Sequence, residues 1–152
     1  MGEARGVNTD RFITIIRWTM LAGALYDLLF AVPILAAPGA VAPVLRIPMP
    51  EQEVYLRFLG VFLAGLAIFY LLPVVRPGRY LGNVAAAAVT RAMGGVYMLA
   101  AVLLYGQARA FLLLGAGDLF FAVLHVLTLL PFTGLRVWTA AGLDLAPRRP
   151  AR

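Results

Sequence analysis

The chain has 152 residues, of which 62% are hydrophobic and 13% are charged. A soluble domain averages about 25% charged residues, so this composition is that of a membrane protein and argues against a soluble fold. The net charge is +6, but the basic residues outside the apolar runs occupy only short segments beside them, so we expect no nucleic-acid partner.

The residue types that are missing restrict the chemistry further. The sequence contains no cysteine, serine or lysine, and all 13 basic residues are arginine. Without cysteine there is no thiolate metal site or redox dithiol, and the remaining nucleophiles are Asp, Glu, Thr, Tyr and His. His125 is the only histidine, which excludes bis-histidine haem ligation within one chain and a histidine-rich metal site. We therefore predict no metal site, and the sequence identifies no cofactor.

Four apolar runs are each about as long as the ~20 residues that a helix needs to cross a bilayer. They predict an all-α fold, a bundle of four transmembrane helices in one domain. The predicted spans are residues 18–37, 54–73, 80–105 and 110–131, inside a membrane domain of residues 13–131. Residues 1–12 are predicted to form a polar cytoplasmic lead, and residues 132–152 a basic cytoplasmic tail.

The one long connection between spans runs from Pro38 to Glu53 and contains four prolines. Because proline fixes its backbone angle and lacks an N–H donor, we expect an extended, stiff segment across the outer end of the bundle. Two roles are compatible with this composition, a connector at the membrane interface and a lid over a substrate site.

The distribution of arginine predicts the orientation in the membrane, because basic residues accumulate on the cytoplasmic side. With the four spans above, nine arginines fall on one side, whereas only Arg46 and Arg109 fall on the other. Both termini are therefore predicted to be cytoplasmic. The first run is longer than the apolar part of a signal peptide and carries Asp27 within it, which favours a retained span.

Each predicted span carries one charged residue inside its apolar run, in the order Asp27, Arg57, Arg91 and Asp118. Insertion scales assign about 2.5–3.5 kcal/mol to each such residue at a helix centre, so four unpaired charges would oppose insertion by roughly 10–14 kcal/mol. We therefore expect the four to face inward and to neutralise one another. Arg57 has an alternative, because Glu53 stands one turn earlier and offers an i,i+4 ion pair.

The predicted cluster of charges has two interpretations. An intramembrane charge is by default a candidate functional site, whereas buried ion pairs can also serve only to specify helix packing. His125 stands two turns after Asp118 on the same face, where it is either a proton relay or a side chain bonded to a backbone carbonyl. Polar side chains expected to line the same cavity are Tyr26, Tyr70, Asn83, Tyr97 and His125.

Short sequence similarities connect the spans in pairs. The sequence D-L-x-F-A-V occurs in both Asp27–Val32 and Asp118–Val123, and R-x-x-G occurs in both Arg57–Gly60 and Arg91–Gly94. These similarities raise the hypothesis of two hairpins of inverted topology, an arrangement found in transporters with central sites.

The segments Tyr26–Leu35 and Tyr55–Leu72, with the two R-x-x-G sequences, resemble the DoxX-like small four-helix membrane proteins of bacteria. The resemblance covers residues 12–131 and lies in helix count, spacing and the placement of Asp and Arg. It implies a four-helix bundle in the bacterial inner (plasma) membrane and, for some members, partnership with quinone-linked oxidation. No catalytic or binding residue is carried over from it.

Three functions are compatible with these features. In the first, the bundle binds a lipophilic or anionic small molecule, quinone-like or a lipid, against Arg57 and Arg91, as an accessory to a membrane redox system. In the second, Asp27 and Asp118 are the acid and base of an intramembrane isomerase, cyclase or epoxide-opening enzyme acting on a terpenoid or lipid. In the third, the chain is a structural subunit of a membrane complex. Small residues in the spans also predict a homo-oligomer.

Overall fold

The computed structural model describes residues 4–47 and 49–132, with side chains for residues 11–47, 49–130 and 132. Within these ranges the regular elements are all helical, which confirms the predicted all-α fold. They are α1 (Ala4–Ala36), α2 (Pro38–Leu45), α3 (Glu53–Val75), α4 (Leu81–Tyr105) and α5 (Ala110–Leu129), with short 3-10 turns at Pro77–Arg79 and Leu130–Phe132. Apart from Phe132, the predicted basic tail lies outside the described residues.

Four of these helices are long and apolar enough to cross a membrane, as in a multi-pass membrane protein. They are Arg11–Ala36 of α1 and the whole of α3, α4 and α5. The last three agree with the predicted spans to within about two residues, but the first begins earlier, at Arg11. Residues 4–12 are helical and continuous with it in α1. Arginine can be accommodated at such a helix end because its long side chain reaches the membrane surface.

Residues 38–45 form helix α2 instead of the extended segment that their prolines predicted. Pro38 lies in the first helical turn, where a missing N–H donor costs nothing. Pro43 lies inside α2 but removes only one hydrogen bond from so short a helix. The helix ends at Arg46, whose left-handed backbone (φ 53°) directs its N–H back to the carbonyls of Ala42 and Pro43. Proline content alone therefore did not distinguish a short helix from an extended connection.

The four long helices pack as two hairpins. The contacts of α1 with α3 and of α4 with α5 are far more extensive than those between the hairpins. Each hairpin depends on a glycine at its closest approach. A Cβ on Gly60 would lie 2.9 Å from side-chain carbons of Ile34 and Leu35, and a Cβ on Gly95 would lie 2.8 Å from the Gly115 carbonyl oxygen. Small residues permit the close packing by which helices associate in a bilayer. The inverted repeat of these hairpins stays a hypothesis.

The apolar core of the bundle lies at the end where α3 turns into α4. All four long helices contribute to it, for example through Met20 of α1, Tyr70 of α3, Val84 of α4 and Leu129 of α5. Phe132 is buried at the same end. Asp27, Arg91 and Asp118 lie next to this core, since Arg91 contacts Tyr70, and the first cavity described below also reaches Tyr70.

Candidate functional site

Arg91 is the centre of the charged cluster. Its side chain is only 3% exposed and donates from Nη1 to Oδ1 of Asp118 (2.6 Å) and from Nη2 to Oδ1 of Asp27 (2.8 Å). Nη2 also donates to the backbone carbonyl of Gly23 at 2.9 Å. The structure thus shows the inward pairing predicted for Asp27, Arg91 and Asp118, which we call the Arg91 cluster. Because α1 belongs to one hairpin and α4 and α5 to the other, the cluster joins the two hairpins.

Three aromatic rings surround the guanidinium group of Arg91. Its Cζ lies 5.3 Å from the ring centre of Tyr26 and 5.0 Å from those of Tyr70 and Phe121. Aromatic faces attract a cation, and the attraction grows where water is excluded. Phe121 was not predicted at this site. It stands three residues after Asp118, a spacing that places both side chains on one helix face and could have revealed it.

Two glycines leave room for the cluster. A Cβ on Gly23 would lie 3.4 Å from Nη2 of Arg91, and a Cβ on Gly94 would lie 3.2 Å from Oδ2 of Asp118. Gly94 is the glycine of the R-x-x-G sequence on α4, so there the sequence pattern does mark the site. The second R-x-x-G sequence has another role, since Gly60 lies at the contact of α3 with α1.

Arg57 does not belong to the cluster, so the prediction of four mutually neutralising charges is wrong. Its Nε and Nη2 contact Oε1 of Glu53 at 2.6 Å, and its Nη1 donates to the Leu35 carbonyl at 2.6 Å. The Arg57 side chain is 48% exposed. The structure therefore shows the alternative i,i+4 pair with Glu53. Arg57 lies one turn inside α3, where its side chain reaches the membrane surface more easily than the centre.

Without Arg57 the cluster contains two carboxylates and one guanidinium group. Within the described residues, Oδ2 of Asp27 and Nε of Arg91 have no hydrogen-bond partner, although the Asp27 side chain is only 4% exposed. A buried polar atom without a hydrogen bond raises the free energy of the folded state. The cluster can therefore accept further partners, namely a hydrogen-bond donor or a cation at Oδ2 of Asp27 and a hydrogen-bond acceptor at Nε of Arg91.

A cavity of about 310 Å³ lies between α3 and α4 and reaches the Arg91 cluster. Its walls are apolar side chains of both helices, among them Phe62, Leu63 and Met93, and all three members of the cluster line it. A second cavity, of about 170 Å³, lies nearer α2 and shares Asp27, Asp118 and Leu63 with the first. The larger volume is at the lower end of the range typical of small-molecule sites.

The other predicted site residues lie at different distances from the cluster. Tyr26 lines the second cavity and contacts Arg91. Tyr97 is 71% exposed on the outside of α4. Asn83 stands ~12 Å along α4 from Arg91, at 1.5 Å per residue. Neither Tyr97 nor Asn83 lines the two cavities, so the structure does not bring them to the cluster.

His125 is fully buried and lies close to Arg91, since a Cβ on Gly23 would lie within 4 Å of both side chains. Its ring lies beside the backbone of Thr19, but neither ring nitrogen reaches hydrogen-bond geometry with a described residue. The role of His125 as a proton relay stays a prediction. In the part of the chain that the structure describes, no three His, Asp or Glu side chains are grouped so that they could hold a metal ion.

The geometry of the Arg91 cluster and its cavity is the basis on which a function can be inferred. The resemblance to DoxX-like proteins stays a prediction. No protein-family model matches this chain, and it has no significant match among curated proteins or solved structures.

Proposed function

We propose that this chain is a protein of the bacterial inner membrane that binds a lipophilic small molecule, quinone-like or a lipid, in the cavity between α3 and α4. The observation that carries the proposal is the cavity of about 310 Å³ whose apolar walls meet the Arg91 cluster. Small-molecule sites have this composition, with a mostly apolar lining and a few converging polar groups. In the proposed complex, Phe62, Leu63 and Met93 contact the apolar body of the ligand, and Asp27 and Asp118 face its polar head.

The contacts of Arg91 limit which polar head fits. Its guanidinium group already donates to both carboxylates and to the Gly23 carbonyl. An anionic head would approach two carboxylates in order to reach a guanidinium group whose positive charge they already neutralise. The geometry therefore supports a head that donates hydrogen bonds, as a quinol hydroxyl does, or that carries positive charge, over the anionic ligand of the sequence hypothesis.

The acid–base enzyme receives less support from the site. An acid and a base need surroundings that differ enough to hold one protonated and the other ionised. Asp27 and Asp118 instead bond to the same guanidinium group, which stabilises the ionised form of both. The retention experiment described next distinguishes ligand binding from a purely structural role of the cluster.

We expect the purified protein to retain a lipophilic molecule, and a substitution that fills the cavity to release it. Leu63 lines both cavities, so Leu63→Trp should reduce retention by about tenfold or more through loss of space. Native mass spectrometry in mild detergent measures the bound fraction. The matched control is Ile68→Trp, at an exposed position of the same helix that lines neither cavity. Equal retention in the two variants would contradict the proposal.

We also propose that both termini are cytoplasmic, on the support of nine arginines against Arg46 and Arg109. A reporter that is active only in the cytoplasm should be active when fused after Arg152. The same reporter inserted at Gln107, in the connection between α4 and α5, should be inactive. The opposite pattern would reverse the proposed orientation.

A further inference from the structure

The Arg91 cluster contains more negative than positive charge. The carboxylates of Asp27 and Asp118 share the single guanidinium group of Arg91. Arg57 does not compensate for this excess, because it is half-exposed and paired with Glu53. An uncompensated charge away from water is strongly unfavourable. The cluster is therefore completed by one positive charge, either a proton or a cation.

His125 does not supply that positive charge. The imidazole is fully buried, and neither of its nitrogens reaches hydrogen-bond geometry with a described residue. His125 also lies close to Arg91, since a Cβ on Gly23 would lie within 4 Å of both side chains. An imidazolium ion there would be a second buried cation next to Arg91, so we count the ring as neutral.

Asp27 is the group that an incoming cation would meet. Its side chain is only 4% exposed, and its Oδ1 is held by Arg91 while its Oδ2 has no partner in the described part of the chain. Asp27 also lines both cavities. The carboxylate that borders both cavities thus contains a buried acceptor oxygen without a donor.

The walls of the larger cavity suit an organic cation. Phe62 and Tyr70 provide aromatic rings, and Met93 and Met98 provide thioethers. Aromatic faces bind quaternary ammonium groups, and methionine adapts to irregular apolar shapes. Hard inorganic cations such as Ca²⁺ and Mg²⁺ instead require several oxygen ligands.

We infer that the ligand of this cavity is a lipophilic monocation, such as a protonated amine or a quaternary ammonium ion with an apolar body. The inference rests on the proposed function, because it names the ligand class of the same cavity.

Tetraphenylphosphonium and tetraphenylborate test this inference, because the two ions have nearly the same size and shape but opposite charge. We expect the full-length protein in mild detergent to bind tetraphenylphosphonium about tenfold or more tightly than tetraphenylborate or neutral triphenylphosphine oxide. Equilibrium dialysis with protein-free micelles as the blank measures the three affinities. Asp27→Asn should weaken tetraphenylphosphonium binding by about tenfold or more, because it removes the negative charge that faces the cavity.

The matched control is Glu53→Gln, which makes the same change of charge at an exposed position and should leave tetraphenylphosphonium binding unchanged. Asp118→Asn is the second variant if Asp27→Asn does not fold, and thermal unfolding is measured on the same samples. The inference is overturned by equal affinity for the three probes, by no binding of tetraphenylphosphonium, or by unchanged binding in a folded aspartate variant. If affinities are equal but Leu63→Trp abolishes them, the proposed function stands without the inference. Binding that Leu63→Trp leaves unchanged overturns both.

Discussion

Replacing Arg91 with methionine should destabilise the protein by roughly 3–5 kcal/mol, the typical effect of removing one partner of a buried ion pair. The substitution leaves Asp27 and Asp118 with no cation in the described structure and removes the contacts of the guanidinium group with three aromatic rings. Denaturant unfolding in detergent measures the change in the free energy of unfolding. Arg57→Met is the matched control, and its expected effect is about 0–1 kcal/mol because its ion pair is exposed.

Replacing one aspartate of the cluster should have a smaller effect. In Asp118→Asn, Arg91 keeps its ion pair with Asp27, and the excess negative charge is removed. The lost charged hydrogen bond is worth roughly 1.5–3 kcal/mol. Because removal of the excess negative charge partly offsets this loss, we expect a net destabilisation of about 1–2 kcal/mol. The double variant Asp27→Asn with Asp118→Asn leaves Arg91 unpaired and should return to roughly 3–5 kcal/mol. If Asp118→Asn alone destabilised the protein as much as Arg91→Met, the two carboxylates would not be sharing Arg91.

Replacing Gly95 with leucine should separate α4 from α5, the second large effect that the structure predicts. Even a Cβ at this position would lie 2.7 Å from Cγ of Leu119 and 2.8 Å from the Gly115 backbone oxygen. Overpacking of a core typically destabilises by about 1–3 kcal/mol. We expect Gly95→Ala to fall in that range and Gly95→Leu to exceed it, because a backbone atom cannot move aside alone.

Gly65 provides the control for this substitution. It lies in α3, and a Cβ there would meet no atom within 4 Å. Gly65→Ala should therefore be neutral or slightly stabilising, since alanine favours the helix over glycine by about 1 kcal/mol. Thermal unfolding of the three variants in one detergent compares them directly. If Gly95→Ala were as stable as Gly65→Ala, α4 and α5 would not approach each other as closely as described.

The proline-rich connection after α1 and the charged residue Arg57 show two limits of prediction from this sequence. The prolines between Pro38 and Glu53 predicted an extended segment, but Pro38 is compatible with a helix start and residues 38–45 are helical. Arg57 stands in an apolar run like Arg91, and the two share the R-x-x-G pattern, but only Arg91 reaches the carboxylates. A pattern along one chain does not specify which neighbouring helix a side chain will meet.

The sequence by itself determined the class of protein, the number of long helices and their approximate ends apart from the start of α1, and the need for each intramembrane charge to be paired. Apolar run length decides whether a helix can cross a bilayer, and the unfavourable free energy of an unpaired charge in that bilayer requires a partner. The length of an apolar run and the presence of a charge within it can both be read from the sequence of residues along the chain. The tertiary structure alone decided that Asp27 and Asp118 share Arg91, that Phe121 completes its aromatic surroundings, and that a cavity opens between α3 and α4. These features depend on distances between helices, which glycines such as Gly94 and Gly95 set by allowing close approach.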